Sequence, residues 1–474
     1  MLFNTYQFAY FFLLLFPAYW SLRRFPRLQN GLLLAAGYYF YACWNPKFLA
    51  LLLLSTVMDY ACGIWVDRAE DPRRRKVVVG LSMALNLGLL GYFKYYNFFA
   101  ESLQAALAKL DVSVSLTQLN VVLPIGISFY TFQSMSYVID VYRRDLKPTR
   151  DFIQFATFVS FFPHLVAGPI MRPTSLLPQV ASPRRFHLTQ FYEGVYLIFW
   201  GLVKKIVVAD NLAVLVDSLF GRWQTLDGGT TLLAVYAFAF QIYGDFSGYT
   251  DIARGVAKCL GFELALNFNL PYFATSPKDF WNRWHISLSH WLRDYLYFPL
   301  GGGRGTKIMV YRNLMITMIL GGLWHGAAWT YVFWGVYQGL LLVGHRIATP
   351  WLERIQPTDP VDARCWKALR IVVTFHLVCV GWLIFRADSM EQVLGMLSAV
   401  ASRPAIPAAA SLVPVLVIVL PLMLVQSCQY LSKELAFIAR TPWYVRSGFY
   451  TACFYALVLG GAFGGGKQFI YFQF

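Results

Sequence analysis

The chain has 474 residues, 58% of them hydrophobic and only 14% charged, with 40 Lys+Arg against 24 Asp+Glu and a net charge of +16. A globular domain carries about 25% charged residues, so this composition excludes a soluble enzyme and a disordered chain. No Asp, Glu, Lys or Arg occurs between Asp111 and Asp140, Arg312 and Arg346, Arg403 and Lys433, or Arg446 and Lys467. A membrane-crossing helix needs about 20 apolar residues, and several such stretches exclude a single anchor. The fold class is all-α, a polytopic membrane protein with about 11–12 transmembrane helices. The basic excess sits in loops between apolar segments, where it marks cytoplasmic ends and implies no nucleic acid.

In chain order, the predicted spans are 4–22, 28–45, 47–66, 77–98, 119–140, 191–218, 229–253, 313–328, 329–346, 369–386, 411–431 and 447–464. The first is a retained helix: Arg23, Arg24 and Arg27 follow its apolar run, whereas a cleavable signal carries charge before it. Basic loops at 23–27, 67–76 and 141–150 alternate with poor ones before residue 48 and at 99–118. The alternation predicts a multi-pass protein with its N-terminus outside the cytoplasm. Residues 152–171 break the pattern, because Arg172, Arg184 and Arg185 follow a segment that would emerge outside. A re-entrant segment interrupted at Pro163 and Gly168-Pro169 repairs it and implies a cavity, since irregular backbone at membrane depth needs protein or water beside it. The stretch 271–305 reads as a re-entrant or interfacial segment. The chain is read as one polytopic domain, with N-terminal helices in 1–150, a core in 151–346 and C-terminal helices in 347–474.

Three clusters carry candidate chemistry. From Pro277 the helical period places Trp281, Trp284, His285, Leu288, Leu292 and Tyr295 on one face, and Arg283, Ser287, His290 and Asp294 on the other. A histidine inside the aromatic face strains the reading of a plain interfacial helix. The second cluster is LGGLWHGAAW, residues 320–329, where His325 lies in the long charge-free stretch with Gly321 and Gly322 on its own face. Small residues serve helix packing, but an ionisable group inside the membrane marks a site by default, and imidazole suits general-base work near neutral pH. The third, QIYGDFSGYTDIAR (241–254), puts Asp245, Ser247, Tyr249 and Asp251 on an apolar helix, lining a cavity or pairing with Arg254 or a lysine.

His164, His187, His345 and His376 lack polar company in the sequence and read as structural. No metal site is expected: His285 and His290 are five apart, and there is no H-E-x-x-H pattern. The seven cysteines form no C-x-x-C pair. Gly301–Lys307 is not a P-loop but a basic turn, whose Arg304 and Lys307 are candidates for touching a phosphate-bearing donor.

At these residues the chain resembles the membrane-bound O-acyltransferase superfamily, in the bacterial branch of the alginate O-acetyltransferase membrane subunit and the teichoic-acid D-alanyl transfer subunit. The matching segments are LPIGISFYTFQSMSYVIDVYR (123–143), FPHLVAGPI (162–170), YGDFSGYTDIA (243–253), DFWNRWHISLSHWLRDYLYFPLGG (279–302), GLWHGAAWTYVFWG (322–335) and FIYFQF (469–474). The resemblance implies that His325 is the catalytic histidine and His285 the second polar position, with helices ringed about a central funnel. Trp324, Trp284, Asn282, Asp245, Ser247, Tyr249 and Asp294 are candidate funnel-lining or substrate residues. It implies an O-acetyltransferase of the bacterial inner membrane that binds no resident cofactor. Acetyl-CoA would be the co-substrate, a polysaccharide such as alginate or cellulose the acceptor, and a periplasmic acetyltransferase the partner protein, with Phe469–Phe474 a candidate contact for it. D-alanyl transfer from a carrier protein is the alternative within the family. A transporter is the alternative outside it.

Overall fold

The structure is a computed structural model and describes residues 1–462. The Phe469–Phe474 tail lies outside the described residues. Among these there is no β-strand, and each of the twelve predicted spans overlaps a helix. Four helices are long and apolar enough to cross a membrane by length and composition: Pro46–Arg68, Pro72–Ala108, Pro360–Arg386 and Ala409–Ser432. Other helices are shorter or less apolar and bury polar side chains inside the protein. The helix Ile127–Arg143 is of that kind, burying Gln133, Ser134, Ser136 and Asp140.

Contacts divide the chain into two compact units. The first comprises Met1–Val195 with Ala253–Ala265. Its helices start where the sequence sets a cap followed by proline. Asn45 and Asp71 each accept from a backbone N–H two residues on, at 3.0 Å, with Pro46 and Pro72 in the first helical position. The helices Pro46–Arg68 and Pro72–Leu90 share a buried polar cluster in which Ser82 and the Asn86 amide donate to Asp59 at 2.6 and 2.9 Å.

The span predicted at 119–140 begins only at Ile127. Pro124 cannot donate, and Gly126 adopts φ +75 with its Cα so close to Leu165 that a Cβ would lie 2.8 Å from that carbonyl oxygen. The predicted interruption of 152–171 is present. A helix Phe152–Ser160 ends at extended Phe161, a single turn Phe162–Leu165 follows, and 166–172 is irregular yet almost wholly buried. His164 has polar company after all: its Nε2 lies 3.1 Å from the Phe158 carbonyl and 3.3 Å from Gln133.

The second unit comprises Tyr196–Ile252 and the described residues from Leu266 onward. Its framework is the hairpin of Lys307–His325 and Trp329–Arg354, with Pro360–Arg386 packed alongside. Glycine makes the hairpin: a Cβ on Gly322 would stand 2.2 Å from the Tyr331 carbonyl oxygen, and one on Gly335 2.5 Å from that of Met318. The run Val203–Ala209 is a π-helical turn that points Lys204 and Lys205 inward, a widening common near functional sites.

The continuous amphipathic helix expected from Pro277 is not formed. Pro277–Trp281 and Ile286–Leu292 are separate, and His285 between them takes the left-handed conformation, φ 43 and ψ 52. The cause is competition for backbone groups. Asn269 N–H donates to Arg283 at 2.9 Å and Ile286 N–H donates to Asn267 at 3.0 Å, so the segment 267–269 takes bonds a helix would have used. The predicted polar face is disrupted with it, and Ser287 is buried against Asn267.

Candidate active site

His325 is the last residue of its helix, at the bend of the hairpin, and is buried at 4% exposure. Three aromatic rings wall it, with Trp324 and Trp334 each at 5.1 Å and Phe385 at 5.5 Å between centroids. The fourth neighbour is His285, fully buried, with its ring 6.4 Å away. Two imidazoles 40 residues apart in sequence therefore share one water-poor pocket. Phe246 abuts His285 edge-on at 4.7 Å.

Asn267 defines the chemistry of His285. Its Oδ1 accepts from the Ser287 backbone N–H at 3.1 Å and the Ser287 hydroxyl at 2.9 Å, and lies 3.2 Å from His285 Nδ1. A backbone N–H only donates, so that atom is the amide oxygen, and Nδ1 must carry the hydrogen that reaches it. The basic nitrogen of neutral His285 is then Nε2. Nothing in the run ALNFNL advertises this asparagine, which sequence reasoning missed.

The remaining candidates separate by position. Trp284, next to His285 in sequence, stacks on Phe280 at 5.7 Å and meets Trp382 at a tilt at 4.7 Å, and so packs the site's aromatic surround. The third cluster pairs with lysines: Lys205 bridges Asp245 at 2.7 Å and Asp210 at 2.8 Å, while Lys204 holds Asp251 at 2.6 Å and Ser247 at 3.1 Å. Asp245 and Ser247 flank Phe246, so this clamp bears on His285 through one ring. Tyr249 is buried on the same helix. Asp294 pairs with its neighbour Arg293 at 2.7 Å.

Asn282 lines a cavity of about 630 Å³ within this unit. Its walls carry Lys278, His290, Arg293, His345 and Arg346, with Leu292, Leu314 and Met318 as apolar lining. Trp281 also lines it and meets Trp334 at 5.8 Å, and Trp334 touches His325, so two rings connect the cavity to the histidine. Arg304 and Lys307 are exposed and do not line this cavity; its basic residues come from the segment 278–293 and from within the helix Trp329–Arg354, which the sequence reading did not assign to donor binding. An anion-attracting cavity beside a buried pair of imidazoles can seat a phosphate-bearing donor and move a proton at a hydroxyl.

Comparison with known proteins agrees with this chemistry. The family model for the membrane-bound O-acyltransferase family matches residues 142–385. The probable alginate O-acetylase AlgI of Azotobacter vinelandii is 43% identical, over 85% of this chain and 78% of that protein. The peptidoglycan O-acetyltransferase of Helicobacter pylori is 34% identical over 84% and 79%, and the teichoic acid D-alanyltransferase of Bacillus subtilis 30% over 56% and 69%. The matched region contains both histidines, Asn267 and the lysine clamp, and the chain belongs to the membrane-bound O-acyltransferase family of acyl-transferring enzymes.

Proposed function

We propose that this protein transfers an acetyl group from a cytoplasmic thioester, acetyl-CoA, to a hydroxyl on the way to an extracytoplasmic polysaccharide. The observation that carries the reading is the buried His285–His325 pair, 6.4 Å ring to ring, next to a cavity rimmed with cations. The cavity takes the donor, with Lys278, Arg293 and Arg346 toward its phosphates. An imidazole nitrogen of His325 accepts the proton of the acceptor hydroxyl while that oxygen attacks the thioester carbonyl carbon. The C–S bond breaks and the thiolate leaves with the proton from the imidazolium. His285 orients the hydroxyl through Nε2, the nitrogen that Asn267 leaves basic. General-base help contributes about 10²–10⁴ in rate, and alignment in a water-poor pocket supplies further acceleration.

Similarity favours acetyl over D-alanyl as the group moved, since the two O-acetylating relatives named above match over 84–85% of the chain and the Bacillus subtilis D-alanyl relative over 56%. In this reading the protein lies in the bacterial inner membrane with a periplasmic N-terminus, and a periplasmic acetyltransferase completes delivery to the polymer. His325→Ala is expected to insert normally and to abolish acetylation of the polymer in cells and thiol release from acetyl-CoA in proteoliposomes. Undiminished thiol release by that variant would refute the assignment. Consumption of carrier-bound D-alanine but not of acetyl-CoA by the unaltered protein would transfer the reading to D-alanylation.

A further inference from the structure

A second cavity, of about 480 Å³, lies in the first unit between the helix Pro173–Ala181 and the start of the helix Leu188–Leu202. Its lining includes Arg184, Arg185, His187 and Gln190. Arg184 is buried at 6% exposure and held in place from several sides. Its Nε donates to the Tyr19 hydroxyl at 3.0 Å, one terminal nitrogen to the Val180 carbonyl at 2.9 Å and the Ser182 carbonyl at 3.2 Å, and the other to Asn30 Oδ1 at 2.7 Å. The guanidinium also lies 5.3 Å from the Phe262 ring centroid. Every one of these partners is neutral. Among the described residues no carboxylate forms an ion pair with Arg184 or with the exposed Arg185 beside it.

The carboxylates in the neighbourhood are already engaged. Lys258 binds Glu193 and Glu263 at 2.8 Å each, and Gln190 donates to Glu263 at 2.8 Å. A buried guanidinium held only by dipoles is an expensive arrangement, which an anion would relieve. The helix beginning at Leu188 adds first-turn N–H groups without intrahelical acceptors, at the positive end of its dipole.

The rim indicates which anion. Phe186, Leu188 and Tyr192 follow the arginines and are exposed at 43%, 55% and 61%, and Phe186 is braced by the Trp20 ring at 5.2 Å. A polar cationic hollow with an apolar, aromatic margin matches a headgroup with acyl chains attached, and fits a free anion less well. Basic pockets between membrane helices are known to select acidic headgroups. We propose that this cavity binds the phosphodiester of an anionic phospholipid, with Arg184 and Arg185 toward the phosphate and the acyl chains along Phe186, Leu188 and Tyr192.

The test uses the full chain, delipidated in detergent and titrated with phosphatidylglycerol or phosphatidylcholine under native mass spectrometry, with inorganic phosphate as a separate arm. Phosphatidylglycerol is expected to be retained in preference to phosphatidylcholine. Arg184→Gln risks misfolding, so the exposed Arg185→Gln carries the test; it should weaken phosphatidylglycerol retention about fivefold and leave the unfolding temperature unchanged. Equal retention of the two lipids, or unchanged retention by Arg185→Gln, would overturn the proposal. Displacement of phosphatidylglycerol by millimolar inorganic phosphate would overturn the lipid assignment in favour of a free phosphate.

Discussion

Replacing Asn267 by alanine removes one oxygen and leaves three donors to find other partners. The Ser287 hydroxyl can rotate toward another acceptor, but the Ser287 backbone N–H at 3.1 Å and His285 Nδ1–H at 3.2 Å cannot, because both are fixed by the backbone around a left-handed residue. An unmatched buried donor costs about 1–3 kcal/mol. The imidazole has a cheaper escape than the amide: it can shift its hydrogen to Nε2, which gives up the basic nitrogen needed to orient a hydroxyl. Losing an orienting bond of about 1.5–3 kcal/mol corresponds to roughly a 10- to 100-fold drop in rate. Thiol release measured in proteoliposomes at saturating acetyl-CoA should therefore show kcat falling by about that factor in Asn267→Ala. The donor KM should stay near the unaltered value, since Asn267 does not line the cavity proposed to take the donor. Asn267→Asp keeps an oxygen at the same place and should recover part of the loss. An alanine variant that inserts and turns over at the unaltered rate would show that His285 needs no fixed tautomer.

Other perturbations separate the scaffold from the site. Lys205→Met strands the buried Asp210 and Asp245 carboxylates and should lower stability by about 3–5 kcal/mol, read as the thermal midpoint in detergent; adding Asp245→Asn should restore part of it. Gly322→Ala drives a methyl to within 2.2 Å of the Tyr331 carbonyl oxygen and should cost about 1–3 kcal/mol and lower kcat through the displaced hairpin bend, measured by thermal midpoint and turnover. Arg346→Gln at the cavity proposed to take the donor should raise the KM for acetyl-CoA with kcat unchanged, and weaken its dependence on salt, because screening acts on that charge.

Much of the architecture could be read from the placement of charge. Gaps between charged residues located the spans, and breaks at Pro163 and Gly168 located irregular backbone, because both follow from the cost of polar groups in an apolar solvent. The same cost singled out His325, an imidazole in a stretch otherwise free of charge, while His285 stood out as an imidazole set inside an aromatic face. Helical periodicity failed where a long-range partner intervened. The two-faced pattern from Pro277 presumes that backbone N–H groups bond four residues back throughout, and the left-handed residue at His285 ends that register. Asn267 and Asn269 take part of that bonding from outside the segment, and no local pattern encodes backbone partners 14 and 19 residues away.

The break is what makes the site. Had residues 277–297 formed one helix, His285 Nδ1 would have no reason to meet Asn267, and either ring nitrogen could hold the hydrogen. The left-handed residue, a conformation with a small steric cost for a non-glycine side chain, exchanges local regularity for a defined tautomer facing His325. The lysine clamp works in the same sense, holding in register the helix whose Phe246 supports that ring. If this coupling is correct, Phe246→Ala should impair turnover more than it lowers the thermal midpoint, and the loss should add little to that of Asn267→Ala, because both act through the orientation of one imidazole.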